Sequence, residues 1–168
     1  AASREEQIVL LQHAIDNITS TFYTQVLFAD FELAAHERVE RDQPITAEVL
    51  NTLYQERFEA YYGDAVDLEA ETPLTWARIP HFFNTPYYVY QYATAFTASE
   101  ALAARVKSGD ADAAKRYLAF LSAGGSKYPI DLLKDAGVDM TTEEPLDLTM
   151  RQMSTVMDEM ERILDKRG

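Results

Sequence analysis

The chain has 168 residues, 47% of them hydrophobic, which suffices for one sizeable core and excludes a disordered or collagen-like chain. With 15 basic against 28 acidic residues the net charge is −13, so we expect neither nucleic acid nor an anionic membrane as a partner. The sequence has no cysteine, which excludes disulfides and thiolate metal sites, and it shows no membrane-spanning segment or signal-peptide pattern, so we expect a cytoplasmic protein.

The first half of the chain predicts two helices. Apolar residues spaced by three and four from Ile8 to Leu33 predict one long helix, and its extra hydrophobic residues predict that it packs on more than one side, as an interior helix. Thr46 is a candidate N-cap of a second helix that ends near Gly63. Residues 63–85 are acidic, contain two prolines and lose this periodicity, so they predict a connecting loop.

The second half predicts four more helices. They cover residues 86–106, with Pro86 in the first turn, then 110–122 after a cap at Asp110, 129–136 and 146–164. No segment alternates with the period of a strand. The sequence therefore predicts an all-α fold of about six helices in a single domain that spans residues 1–168.

The histidines are few, and one of them invites a metal-site hypothesis. His36 begins like the zinc motif HExxH, but the second histidine of that motif is missing. Glu32, His36 and Glu40 share a helical face, although a solvated, charged helix surface explains them better. His13 is best explained as an ordinary surface histidine, and we predict no metal site in this chain.

The segment 78–94 is the most unusual part of the chain, because it combines His81 with four tyrosines, Tyr87, Tyr88, Tyr90 and Tyr92. Spacing alone favours core packing, since tyrosine buries a large area while its hydroxyl stays wet. The functional alternative is a substrate wall: Tyr87 and Tyr90, three apart on a predicted helix, would aim two hydroxyls at one point and stabilise an oxyanion. Further along, Gly124 and Gly125 are explained most simply as a helix-breaking hinge.

Three blocks of sequence, TFYTQVLFADFE, IPHFFNTPYYVYQYATAF and YLAFLSAGGSKYPIDLLKDAGVDM, occur in an order that resembles the carboxy-terminal part of the oligoendopeptidase F family, thimet-type zinc metallopeptidases of family M3. The resemblance covers nearly the whole chain. It implies the C-terminal half of a zincin-like, all-helical catalytic domain that cuts short peptides. It also implies that zinc is the cofactor of the intact enzyme and that its ligands lie upstream, so that this chain alone is inactive and needs the upstream half as its partner.

By this resemblance His81, Tyr90 and Tyr87 are the candidate catalytic residues, which contact the substrate carbonyl and the tetrahedral oxyanion. Tyr88, the third choice for the donor, is a candidate substrate-binding residue together with Gly124 and Gly125. The competing hypothesis is a stand-alone helical module that binds peptides in a groove without cleaving them.

Overall fold

The computed structural model of the chain describes residues 3–165. Eight α-helices are present in these residues: α1 Arg4–Ile18, α2 Thr24–Glu40, α3 Ala47–Tyr62, α4 His81–Asn84, α5 Tyr90–Lys107, α6 Ala113–Ala123, α7 Pro129–Asp135 and α8 Glu144–Asp165. The described residues contain no strand, so the predicted all-α class is confirmed.

Two features raise the number of helices from the predicted six to eight. A π-helical turn, Thr19–Tyr23, divides the predicted first helix into α1 and α2. The predicted loop contains α4 and two 3₁₀ segments, Gly63–Ala65 and Thr72–Arg78. In this chain Val9 and Leu10 of α1 are 54% and 64% exposed, so the expected packing of the first helix on more than one side stays a prediction.

The chain divides into two compact units, one formed by Ser20–Ala93 and the other by the residues up to Thr19 together with those from Thr94 onward. The predicted single domain over 1–168 stays a prediction. Large apolar side chains are exposed on both units, among them Val9, Leu10, Leu33, Val39, Phe83, Leu118, Leu121 and Tyr128. No helix within the described residues has both the length and the apolar character needed to cross a bilayer.

The unit Ser20–Ala93 is built on α2 and α3. Its core cluster consists of Leu27, Phe28 and Phe31 from α2, Tyr54 from α3, and Val89. The N-terminus of α3 is capped as predicted, because the Thr46 hydroxyl accepts a hydrogen bond from the backbone N–H of Val49. Burial of these large side chains is what stabilises the unit, at about 1.5–3 kcal/mol for each one.

The other unit pairs α1 with α8 and joins α5, α6 and α7 around a second core cluster of Ala101, Leu102, Ala136 and Val138. α7 ends at Gly137, whose φ of +96° is the left-handed conformation that glycine adopts without strain. Next to it, hydrogen bonds from the Thr141 hydroxyl and the Lys134 ammonium lower the pKa of Asp139 to about 2.

A candidate peptidase site around His81

His81 opens the short helix α4, directly after Pro80. The next residue, Phe82, fixes this helix, because its ring packs 5.6 Å from the ring of Phe28 and 5.2 Å from that of Phe31. His81 is therefore held half-buried beside the core of the unit Ser20–Ala93.

The tyrosine loop, defined here as residues 85–89, connects α4 to α5. The prediction of helix from Pro86 is wrong, because α5 begins at Tyr90 and Tyr87 has a φ of +57°. The backbone N–H of Tyr87 donates a hydrogen bond of 2.9 Å to the carboxylate of Glu32, and Val89 is 1% exposed. The tyrosine loop is thus anchored at its middle by the buried Glu32 and at its C-terminal end by the buried Val89.

The tyrosine loop brings Tyr88 onto His81, and α5 brings Tyr92 there. We call these three residues the His81 cluster. The ring of Tyr88 stacks on the imidazole, with centroids 5.5 Å apart and planes inclined by 11°. The hydroxyl of Tyr92 lies 3.3 Å from Nε2 of His81, and the rings of Tyr88 and Tyr92 meet edge to face at 5.4 Å. The cluster therefore holds two phenols and one imidazole within contact distance.

The surroundings of Tyr92 favour the protonated form of its phenol. Partial burial raises the pKa of Tyr92 above its ordinary value of 10.0, and the neighbouring phenol of Tyr88 raises it further. A phenol that stays protonated remains a hydrogen-bond donor at neutral pH. The arrangement can thus offer O–H and N–H donors to a carbonyl oxygen that gains negative charge.

The other predicted site residues lie elsewhere. Tyr90 is 48% exposed in the first turn of α5, and Tyr87 precedes that helix, so the two do not share a helical face and the argument that paired them is wrong. Gly124 and Gly125 follow α6 in the other compact unit, where Gly124 ends the helix with a φ of +53°. Their suggested role in substrate binding stays a prediction.

Tyr92 is the cluster residue that the sequence argument left without a role. Residue spacing gave no signal for it, because Tyr88 precedes α5 and Tyr92 lies within it, so the two tyrosines do not share a helical face.

The hypothetical metal set on α2 does not form. The carboxylate of Glu32 is buried and bonded to the N–H of Tyr87, while the ring of His36 lies against the ring of Tyr87, with centroids 4.6 Å apart. Glu40 is exposed near the end of the helix. Across residues 3–165 no group of three histidine, aspartate or glutamate side chains is placed to hold a metal ion.

Comparisons with known proteins agree on one family. The profile of Peptidase family M3 matches residues 1–152. Oligopeptidase PepF of Bacillus subtilis is 40% identical over 162 residues, which are 96% of this chain and 24% of that protein. The plasmid-encoded oligoendopeptidase F of Lactococcus lactis subsp. cremoris is 39% identical over 162 residues, 96% of this chain and 27% of that protein.

The fold has solved counterparts. The crystal structure of oligoendopeptidase-F from Enterococcus faecium matches with a TM-score of 0.94 at 36% identity, over 99% of this chain and 32% of that one. The crystal structure of a putative peptidase from Chlamydophila abortus matches with a TM-score of 0.90 at 36% identity, over 97% of this chain and 27% of that one. The chain spans about a quarter of the length of the curated relatives it matches. Since the family profile covers most of its residues and its fold agrees with solved oligoendopeptidase structures, the chain belongs to peptidase family M3.

Proposed function

We propose that this chain forms one wall of the active site of an oligoendopeptidase that hydrolyses short peptides, and that the His81 cluster donates hydrogen bonds to the scissile carbonyl and the oxyanion. The observation that carries this proposal is the contact of one imidazole with two phenols at a partly exposed position. Membership of family M3 supports it, as do relatives named oligoendopeptidase F.

The chemistry follows from the charge that develops during peptide hydrolysis. Attack of water on the carbonyl carbon converts the carbonyl oxygen into an oxyanion, so a donor aimed at that oxygen binds the transition state more tightly than the substrate. Tyr88 and Tyr92 are suited to this because phenols donate while remaining neutral. The contact of His81 with both tyrosines restricts their side-chain rotation, which lowers the entropic cost of aiming them.

Zinc is the metal that the family resemblance implies, and the described residues of this chain do not fit a zinc site. We place the ligands in the upstream part of a longer polypeptide, which is also the expected partner of this chain. Zinc would supply Lewis-acid chemistry there, and we assign to this chain only substrate binding and oxyanion stabilisation. The cytoplasmic location stays a prediction.

The test uses the polypeptide encoded by the complete reading frame, assayed on a fluorogenic short peptide. Tyr88→Phe, Tyr92→Phe and His81→Gln are each expected to lower kcat, by about 100-fold or more for a true oxyanion donor. Tyr128→Phe is the matched control, because Tyr128 is 82% exposed in the other compact unit, and it should leave kcat unchanged.

Tyr87→Phe and Tyr90→Phe test the two tyrosines that the sequence favoured. A large loss in either, with little loss at Tyr88 and Tyr92, would move the donor role to that residue. Wild-type activity in all the cluster variants would refute the proposal. An intact polypeptide that binds peptides without cleaving them would favour the binding-module hypothesis.

A further inference from the structure

Glu32 carries a carboxyl group that is buried next to the core cluster of the unit Ser20–Ala93. It lies on α2 directly after Phe31 and one turn after Phe28, both of them members of the core cluster, and it is itself only 4% exposed. Removing a carboxylate from water is costly unless hydrogen bonds replace the lost hydration. The bond from the backbone N–H of Tyr87, at 2.9 Å, is such a replacement.

Tyr87 needs support of this kind. Its φ of +57° lies in the left-handed region, which is costly for a bulky side chain. Glu32 holds the backbone of this residue, and His36, one turn further along α2, lies against its ring at 4.6 Å. Two residues of α2 therefore contact Tyr87: Glu32 accepts a hydrogen bond from its backbone, and His36 packs against its ring.

The conformation of Tyr87 decides where the next residue points. Tyr88 follows directly and stacks on His81, while Val89 is fixed in the core cluster. The φ angle of Tyr87 is the rotation about its N–Cα bond, so a return to negative φ would reorient the chain that follows relative to the Pro86–Tyr87 peptide. With Val89 fixed in the core cluster, this reorientation would move Tyr88 off the imidazole.

We propose that Glu32 is a positioning residue: its carboxylate holds Tyr87 in the left-handed conformation and thereby sets the contact of Tyr88 with His81. Its effect on catalysis rests on the function proposed above, whereas its effect on the loop does not. Glu32 itself touches no substrate in this scheme.

The main test compares two substitutions in the intact polypeptide. Glu32→Leu keeps a side chain of similar size but removes the hydrogen-bond acceptor. Without it, the left-handed conformation of Tyr87 should be populated about 5- to 30-fold less, so kcat should fall by that factor with KM nearly unchanged. Glu32→Gln keeps a carbonyl oxygen for the Tyr87 N–H and should retain most of kcat. Equal losses in both variants would contradict a role for the acceptor.

A double variant separates positioning from general packing. Glycine adopts positive φ without strain, so Glu32→Leu should cost much less kcat in a Tyr87→Gly background than in the wild type. The same fold loss in both backgrounds would overturn the inference. If Glu32→Leu does not fold, Glu32→Asp withdraws the carboxylate by one methylene and should give the same loss, and wild-type kcat in that variant would overturn the inference equally.

A crystal structure of the Glu32→Leu protein provides a readout independent of activity. We expect Tyr87 to leave positive φ and Tyr88 to leave His81, and an unchanged loop would refute the inference whatever the kinetics. If the loop changes while the His81-cluster variants keep full activity, the proposed function fails and the positioning inference survives. If those variants lose activity while Glu32→Leu keeps both kcat and the loop, the positioning inference fails alone.

Discussion

Val89 links the stability of the fold to the geometry of the His81 cluster. It lies between Tyr88 and Tyr90, is 1% exposed and belongs to the core cluster. Val89→Ala removes two methyl groups, which is about 1.6 kcal/mol of transfer free energy at about 0.8 kcal/mol per carbon. Incomplete collapse of the resulting cavity adds about 1 kcal/mol, so we expect the free energy of unfolding to fall by about 2–3 kcal/mol.

The assay is urea denaturation of the chain, followed by fluorescence. Trp76 is the single tryptophan of the chain and packs against the core cluster, so its emission reports on the unit that contains Val89. Val39→Ala is the matched control, because Val39 is 58% exposed on α2, and it should change the free energy of unfolding by less than about 0.5 kcal/mol. A Val89→Ala loss no larger than that of the control would refute the assignment of Val89 as the anchor of the tyrosine loop.

Three further predictions concern single groups. Asp139 has a folded-state pKa of about 2, below its ordinary value of 3.8, so its stabilising effect is present above about pH 4 and is lost as the pH falls towards 2. In urea titrations, the free energy of unfolding should therefore fall less between pH 5 and pH 2.5 for Asp139→Asn than for the wild type. The pKa of Tyr92 is raised, so its stabilising effect is lost as the pH rises above 10. The difference in absorbance at about 295 nm between the wild type and Tyr92→Phe should titrate with a midpoint above the pKa of free tyrosine. A midpoint equal to that of free tyrosine would contradict the burial of Tyr92. Thr46→Ala should lower the free energy of unfolding by about 1 kcal/mol, because it removes the N-cap of α3. The control Thr52→Ala, inside the same helix, should lower it by less than about 0.5 kcal/mol. Equal losses of the two variants in urea denaturation would argue against the cap.

The sequence predicted correctly those helices whose ends and buried faces are specified by neighbouring residues. α3 begins after Thr46 and α8 follows the apolar stripe of methionines and leucines, because a cap and a 3.6-residue period are written in neighbouring residues. The same reasoning failed at Pro86, which is well suited to the first turn of a helix. The chain there instead takes positive φ at Tyr87, whose N–H bonds to Glu32, a residue 55 positions away that no local window includes.

The candidate site shows the same limit. The resemblance to family M3 singled out His81 and the tyrosine segment, because those features are contiguous in sequence. It favoured Tyr90 and Tyr87 over Tyr88 and gave no role to Tyr92, and this preference stays a prediction, whereas which tyrosines contact His81 depends on where α5 begins. With its start at Tyr90, Tyr88 lies outside the helix and Tyr92 inside it, and both reach His81.

The His81 cluster therefore depends on residues that do not belong to it. Phe82 sets the position of α4 through the rings of α2, and Val89 and Glu32 hold the two sides of the turn that carries Tyr88. Because these groups act on α4 and on two points of the loop, their substitution should misplace Tyr88 without removing its hydroxyl. If the proposed function holds, activity of the intact polypeptide should then fall through kcat rather than through peptide affinity. The tyrosines proposed as donors differ in this respect, since we expect a tyrosine changed to phenylalanine to keep the loop and lose only the hydroxyl. A variant that loses activity with the loop intact therefore identifies a group that stabilises the oxyanion. A variant that loses activity with the loop altered identifies a group that positions such a donor.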